Sequence, residues 1–189
     1  MTLKVIFLLE EPSMKWFLDQ ILPRIVPAGV EFQTVPHQGC SDLRKSIPKK
    51  LKCWFEPDKI IHFVVVHDRD DKDCRQLKQE LRQLCDAIRP GVLIRIPCQE
   101  LEAWYWGDLQ AVSEAMGKNI TNCARKRKFR NPDAIIDPKE HLYKLFPDMQ
   151  QCSSATAIGE RFRIDKNTSE SFRYFVSGVR KLCGLESDS

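Results

Sequence analysis

What this 189-residue chain lacks narrows its class first. Its eight cysteines include no C-x-x-C pair, which disfavours a zinc ribbon or knuckle. No apolar run approaches the roughly 18 residues of a membrane-spanning helix. The apolar run at residues 3–9 is short, and acids and Pro12 follow it at once, unlike a secretory leader. Repeats and low-complexity tracts are absent as well. These absences predict a cytoplasmic protein without a membrane partner, its cysteines reduced and mostly packed.

What is present suits one globular domain. Apolar residues make up 42% and charged residues 30%, enough for a sizeable core without staples. The net charge of +4 says little about partners, so the distribution of charge carries the argument. Residues 3–9 (LKVIFLL) and 60–66 (IIHFVVV) are almost unbroken apolar runs, as in parallel strands buried on both faces. Residues 30–35 alternate like a more exposed strand, and residues 92–96 read as a fourth. Between them, residues 14–25 have helical spacing with Ser13 as N-cap and Pro23 ending or kinking the helix, and residues 43–55 form a basic amphipathic stretch that Pro48 kinks or splits. Residues 74–87, with Leu77, Leu81 and Leu84 and the adjoining Ile88, show helical spacing.

This alternation predicts an α/β fold with a mostly parallel, Rossmann-like sheet flanked by helices. The composition shifts after Gly117. Residues 1–116 therefore read as the α/β core, and residues 117–189 as a basic loop and helical C-terminal extension packed on it. Helices are expected at 108–116, 138–146, 153–163 and 170–182.

The chemistry concentrates where strands end. Residues 67–73 (HDRDDKD) place Asp68, Asp70, Asp71 and Asp73 directly after the central strand. Such carboxylates repel one another and call for a compensating cation. Glu10 and Glu11 follow the first strand, and Glu100 and Glu102 follow the fourth. In a parallel sheet the carboxyl ends share one edge, where ligands bind, so three acidic clusters can converge. Hard oxygen ligands select one or two Mg²⁺ or Mn²⁺ ions, and two such ions can clamp both oxygens of a phosphoryl transfer. The competing reading of each cluster is an acidic helix start.

A resemblance sharpens this. An early-strand glutamate, a later strand ending in Asp68-Arg69-Asp70 and further acids downstream resemble the Toprim domain of topoisomerases, primases and OLD-type nucleases. More narrowly, the chain is similar to a family of small bacterial Toprim-like proteins known as a domain of unknown function. The likeness runs through residues 10–15 (EEPSMK), 36–39 (PHQG), 41–43 (SDL), 46–51 (SIPKKL), Asp73-Cys74, Arg95-Ile96, 100–105 (ELEAWY) and 128–133 (KFRNPD), and reaches 169–172 (SESF). Asp71 departs from the family pattern and is left out of the ligand set.

The resemblance implies a Toprim-like sheet and metal-dependent nucleic-acid phosphodiester chemistry, in DNA processing or phage defence, with DNA or RNA as partner. Glu10 or Glu11 would be the catalytic early glutamate, with Glu11 favoured because it stands nearer the loop. Asp68 and Asp70 would be catalytic and hold one metal, and Glu100 or Glu102 would complete the site or hold a second. The metal set is then Glu11, Asp68, Asp70, Glu100 and Glu102. An associated ATPase or a homodimer is a further implied partner, and a non-catalytic subunit serving such an ATPase is the alternative function.

Arg125, Lys126, Arg127, Lys128 and Arg130 form a basic run suited to phosphate contacts, with Lys128 a candidate to stabilise phosphate charge. An isolated run of this kind is otherwise a solvated loop. Trp104, Tyr105 and Trp106 read as core packing rather than base-stacking platforms. His37 is a marginal candidate for the metal edge. Haloacid-dehalogenase-type phosphatases place D-x-D on the first strand, and nucleotide-sugar transferases need a larger chain, so both rank below.

Overall fold

The computed structural model describes residues 1–185. Its organising unit is a four-stranded, all-parallel sheet in the order β2-β1-β3-β4, built from β1 (Thr2–Leu9), β2 (Glu31–Pro36), β3 (Lys59–Val66) and β4 (Leu93–Arg95). Helix α1 (Pro12–Ile21) returns the chain from β1 to β2, α2 (Cys40–Cys53) from β2 to β3, and α3 (Cys74–Asp86) from β3 to β4. The remaining helices are α4 (Glu102–Trp106), α5 (Leu109–Met116), α6 (Pro138–Leu145), α7 (Gln151–Arg161) and α8 (Glu170–Leu182). The fold is thus the expected Rossmann-like α/β class, with eight α-helices among the described residues. No helix among them is long and apolar enough to cross a membrane.

The period of two along β1 and β3 divides the core. Ile6, Leu8, Phe63 and Val65 face α2 and α3, meeting Leu43, Ile47, Leu77 and Leu81. Val5, Phe7, Leu9, Val64 and Val66 belong to the opposite cluster, with Phe17 of α1, Trp104 of α4 and Phe175 of α8. The C-terminal helices are integral to that face. Phe175 lies 6.4 Å from Phe7 and 5.0 Å from Trp104, and Phe162 meets Phe17 edge-on at 4.8 Å. Trp104, Tyr105 and Trp106 are all buried here, as core packing requires.

Three local expectations need correction. Ser13 does not cap α1: Pro12 occupies the first turn, its ring pre-setting helical φ, so the cap position moves back to Glu11 and the Ser13 hydroxyl donates to the Glu11 carboxylate instead. As Pro23 leads one to expect, the helix proper stops at Ile21, and Leu22–Arg24 continues as one 3-10 turn. Pro48 neither splits nor ends α2, which runs unbroken from Cys40 to Cys53. Leu43, Ile47 and Leu51 are buried along it, and this packing outweighs the one intrahelical bond that Pro48 cannot donate. The basic stretch after Gly117 is three 3-10 turns (Thr121–Arg125, Arg127–Phe129, Pro132–Ala134) rather than an open loop.

Helices α1 and α7 approach closely at Gly159. A Cβ there would stand 2.8 Å from Gln20 Cβ and 3.0 Å from the Phe17 carbonyl oxygen, and the Arg24 guanidinium bonds the Phe162 carbonyl at 2.6 Å beside it. Gly159→Ala is expected to cost about 1–3 kcal/mol, the range for an overpacked contact. Denaturant unfolding measures it; an unchanged midpoint would mean α7 can shift off α1 without loss.

Candidate metal centre

In the sheet, β2 lies on one side of β1 and β3 on the other, so the chain reverses direction between β1 and β3. Such a reversal marks the carboxyl-end edge at which α/β proteins bind ligands. The register pairs Leu9 with Val66 and with Pro36, and Val66 with Arg95, so all four strands end at one level. Glu10 and His67 are the next residues on the two central strands.

Glu10 is buried and locked to the neighbouring strand end. Its Oε2 accepts from the Asp68 backbone N–H at 2.8 Å and lies 2.9 Å from His67 Nδ1. Nδ1 also lies 2.6 Å from the Asp68 carbonyl oxygen, while His67 Nε2 is buried without a partner. The Gly39 N–H donates to the Glu10 carbonyl at 2.8 Å, tying the start of α2 to the end of β1 and bringing Cys40 alongside. Gly39 holds φ +99°, a left-handed backbone natural only to glycine. Glu10, Cys40 and His67 each place a ligand atom within 4.8 Å of the others, a group that could hold a metal ion.

The remaining acids act on one another at the same strand ends. Asp68 is buried, and burial, then the charges of Glu102, Glu10, Glu11 and Asp70, hold its carboxyl well above the ordinary range. Burial raises Glu102 to about 7, with Glu11 and Glu100 adding to the rise and the Lys139 ammonium opposing it. Burial, then Glu102, Glu11 and Asp68, pushes the Tyr105 phenol further up, so it stays protonated. Asp68 Oδ1, Glu102 Oε2 and the Tyr105 hydroxyl are all buried without a hydrogen-bond partner. Unmet polar groups at one spot are costly, and carboxylates in a mutually raised cluster are the donor set that a hard cation satisfies.

Glu11 is half-buried and held in place. Gln151, the first residue of α7, donates to its two oxygens at 3.1 and 3.0 Å. Glu100 is half-buried, accepts from the Lys139 N–H at 3.3 Å, and is raised first by burial and then by Asp70 and Glu11. Asp70 is exposed, sits at φ 50° and lies 4.0 Å from Lys72 Nζ. Asp73 caps α3 through the Gln76 N–H, and Asp71 is exposed.

The expected acids thus line one edge, but the group gathered within 4.8 Å among the described residues is Glu10, Cys40 and His67, not the five-carboxylate set. His37 is occupied elsewhere, with Nδ1 against the Leu9 carbonyl and Nε2 against Ser46 Oγ. Lys128 is exposed and lies 4.5 Å above the Phe129 ring, whereas Lys139 is the lysine among the carboxylates. Arg125, Lys126, Arg127 and Arg130 are also exposed. Phe129 stacks on Trp106 at 4.3 Å, which fastens the basic turns to the short helix that carries Glu102. Sequence reasoning missed Cys40, His67, Tyr105, Lys139 and Gln151 as site residues. Only His67, directly before the D-x-D, had a local signal.

Fold and site together define an α/β protein with an acidic switch-point edge. It belongs to the family described as a domain of unknown function (DUF4276), whose profile matches residues 9–180. No curated protein and no solved structure matched the chain.

Because the folded Glu102 binds its proton up to about pH 7 and an unfolded glutamate only up to about 4.5, metal-free stability falls as pH rises between those values. Glu102→Gln removes this loss and is expected to stabilise the metal-free protein above pH 7 by up to about 3 kcal/mol. Thermal melts in chelator across that range measure it; a variant that melts lower than wild type above pH 7 contradicts it.

Proposed function

We propose that the protein is a Mg²⁺- or Mn²⁺-dependent phosphodiesterase acting on nucleic acid, built on a Toprim-like version of this fold. The observation that carries the reading is the pair of buried carboxylates, Asp68 and Glu102, each with an unpartnered oxygen on the switch-point edge. Glu11, Asp70 and Glu100 share that edge electrostatically and complete an oxygen donor set for a hard cation. A divalent ion held there would act as a Lewis acid on a phosphate and orient the attacking and leaving oxygens. Glu11, held by Gln151 and half-exposed, is the carboxylate placed to move a proton at the substrate. Lys139 supplies the positive charge facing the phosphate. The exposed basic turns at Arg125–Arg130, anchored beside α4 through Phe129, provide the backbone-binding surface.

The purified chain with Mn²⁺ or Mg²⁺ is expected to cleave DNA or RNA, and Asp68→Asn to abolish cleavage while the fold persists. Glu11→Gln should lower the rate by about 10²–10⁴-fold, the span for a lost general acid or base. Full activity in Asp68→Asn would sink the assignment. Absence of cleavage and of bound metal in the wild type would instead favour a silent subunit of an ATPase assembly. Replacing Arg125, Lys126, Arg127 and Lys128 by Ala should weaken nucleic-acid binding and flatten its log–log salt slope by about 3. Unchanged binding would return these residues to a solvated turn.

A further inference from the structure

The same strand ends offer a second and chemically different ligand set. Glu10 comes from β1, Cys40 from the first turn of α2 and His67 from β3, with ligand atoms mutually within 4.8 Å. His67 has no exposed surface, and its Nδ1 is committed to the Asp68 carbonyl at 2.6 Å, with Glu10 Oε2 standing 2.9 Å away. A metal-binding imidazole is held in this manner, one ring nitrogen fixed by a carbonyl or carboxylate and the other left to the ion. A simple histidine–glutamate pair accounts for Nδ1. It leaves Nε2 as a buried polar atom with no partner.

We infer that Glu10, Cys40 and His67 bind a borderline transition-metal ion of the zinc class. Sulfur and imidazole donors select such an ion over Mg²⁺, which prefers oxygen alone. Three protein ligands leave the fourth tetrahedral position open, the arrangement of reactive rather than purely structural zinc sites. Lys72 marks the approach. Its half-exposed ammonium lies 3.5 Å from Cys40 Sγ and 4.0 Å from Asp70 Oδ2, so an incoming ion replaces it at the sulfur and leaves it to Asp70. Binding converts the Cys40 thiol to a thiolate and releases that proton to solvent. This inference stands apart from the nuclease reading, sharing with its candidates only Glu10.

Cobalt is the probe, since thiolate-bound Co²⁺ gives a near-ultraviolet charge-transfer band and four-coordinate Co²⁺ gives visible bands. The wild-type chain is expected to take up one thiolate-bound equivalent with both features, and Zn²⁺ to bleach them. Cys40→Ser should lose the near-ultraviolet band, Glu10→Gln should keep it at weaker affinity, and Glu102→Gln should leave it unchanged. No thiolate band in the wild type, or the same band in Cys40→Ser, overturns the inference. Should Cys40→Ser fail to fold, alkylation of the wild type followed by mass mapping decides: Zn²⁺ must slow modification of Cys40, and equal rates overturn the site.

Discussion

The structure depends on negative charge buried at the end of a parallel strand pair. Leu9 and Val66 are partners in register, so the residues that follow them reach the same depth at the same edge. Both strands are apolar on both faces, and helices cover both, so the first polar residues after them are inside the protein. Glu10 and Asp68 are buried for that reason, and Glu102 joins them from the start of α4. Buried carboxylates at one spot raise one another and must find donors or cations. Much of the distal architecture answers that need: the Asp68 N–H serves Glu10, Gln151 serves Glu11, and the Lys139 backbone and ammonium serve Glu100 and Glu102.

That requirement also explains why residues beyond Gly117 are more than an appendage to the sheet. Gln151 reaches Glu11 across 140 positions of sequence, and Lys139 reaches Glu100 across 39. Both arrive because α7 packs on α1 through Gly159, and because Trp106 Nε1 donates to the Pro138 carbonyl at 2.9 Å, seating the start of α6 beside α4. The aromatic side chains that fill this face therefore also set the electrostatics of that edge.

Much of the sheet was legible because its signals are local. Two apolar runs, an alternating strand and helical spacing between them define a parallel α/β fold, and the acids that follow the strands mark the edge where carboxylates gather. Boundaries failed where a local rule met a stronger one. Pro48 argues for a break, yet the buried stripe of Leu43, Ile47 and Leu51 keeps α2 whole. Ser13 is a good N-cap type, yet Pro12 claims the first turn. The site was half legible. The acids were readable as a class, whereas Tyr105 lay hidden in an aromatic triplet and Cys40 among cysteines read as packing.

The sequence by itself determined the class of fold, the edge where chemistry would lie and the charge of that edge. Those follow from hydrophobic period and from which residues directly follow a strand. Only the tertiary structure decided how the acids are divided. It set Glu10 with His67 and Cys40, and Asp68 with Glu102, Tyr105 and Lys139, two donor sets of different hardness from neighbouring residues. It also decided which lysine balances the carboxylates: Lys139 in place of the more conspicuous Lys128. Such choices depend on contacts between segments far apart in the chain, and a residue's own neighbours in sequence carry no record of them.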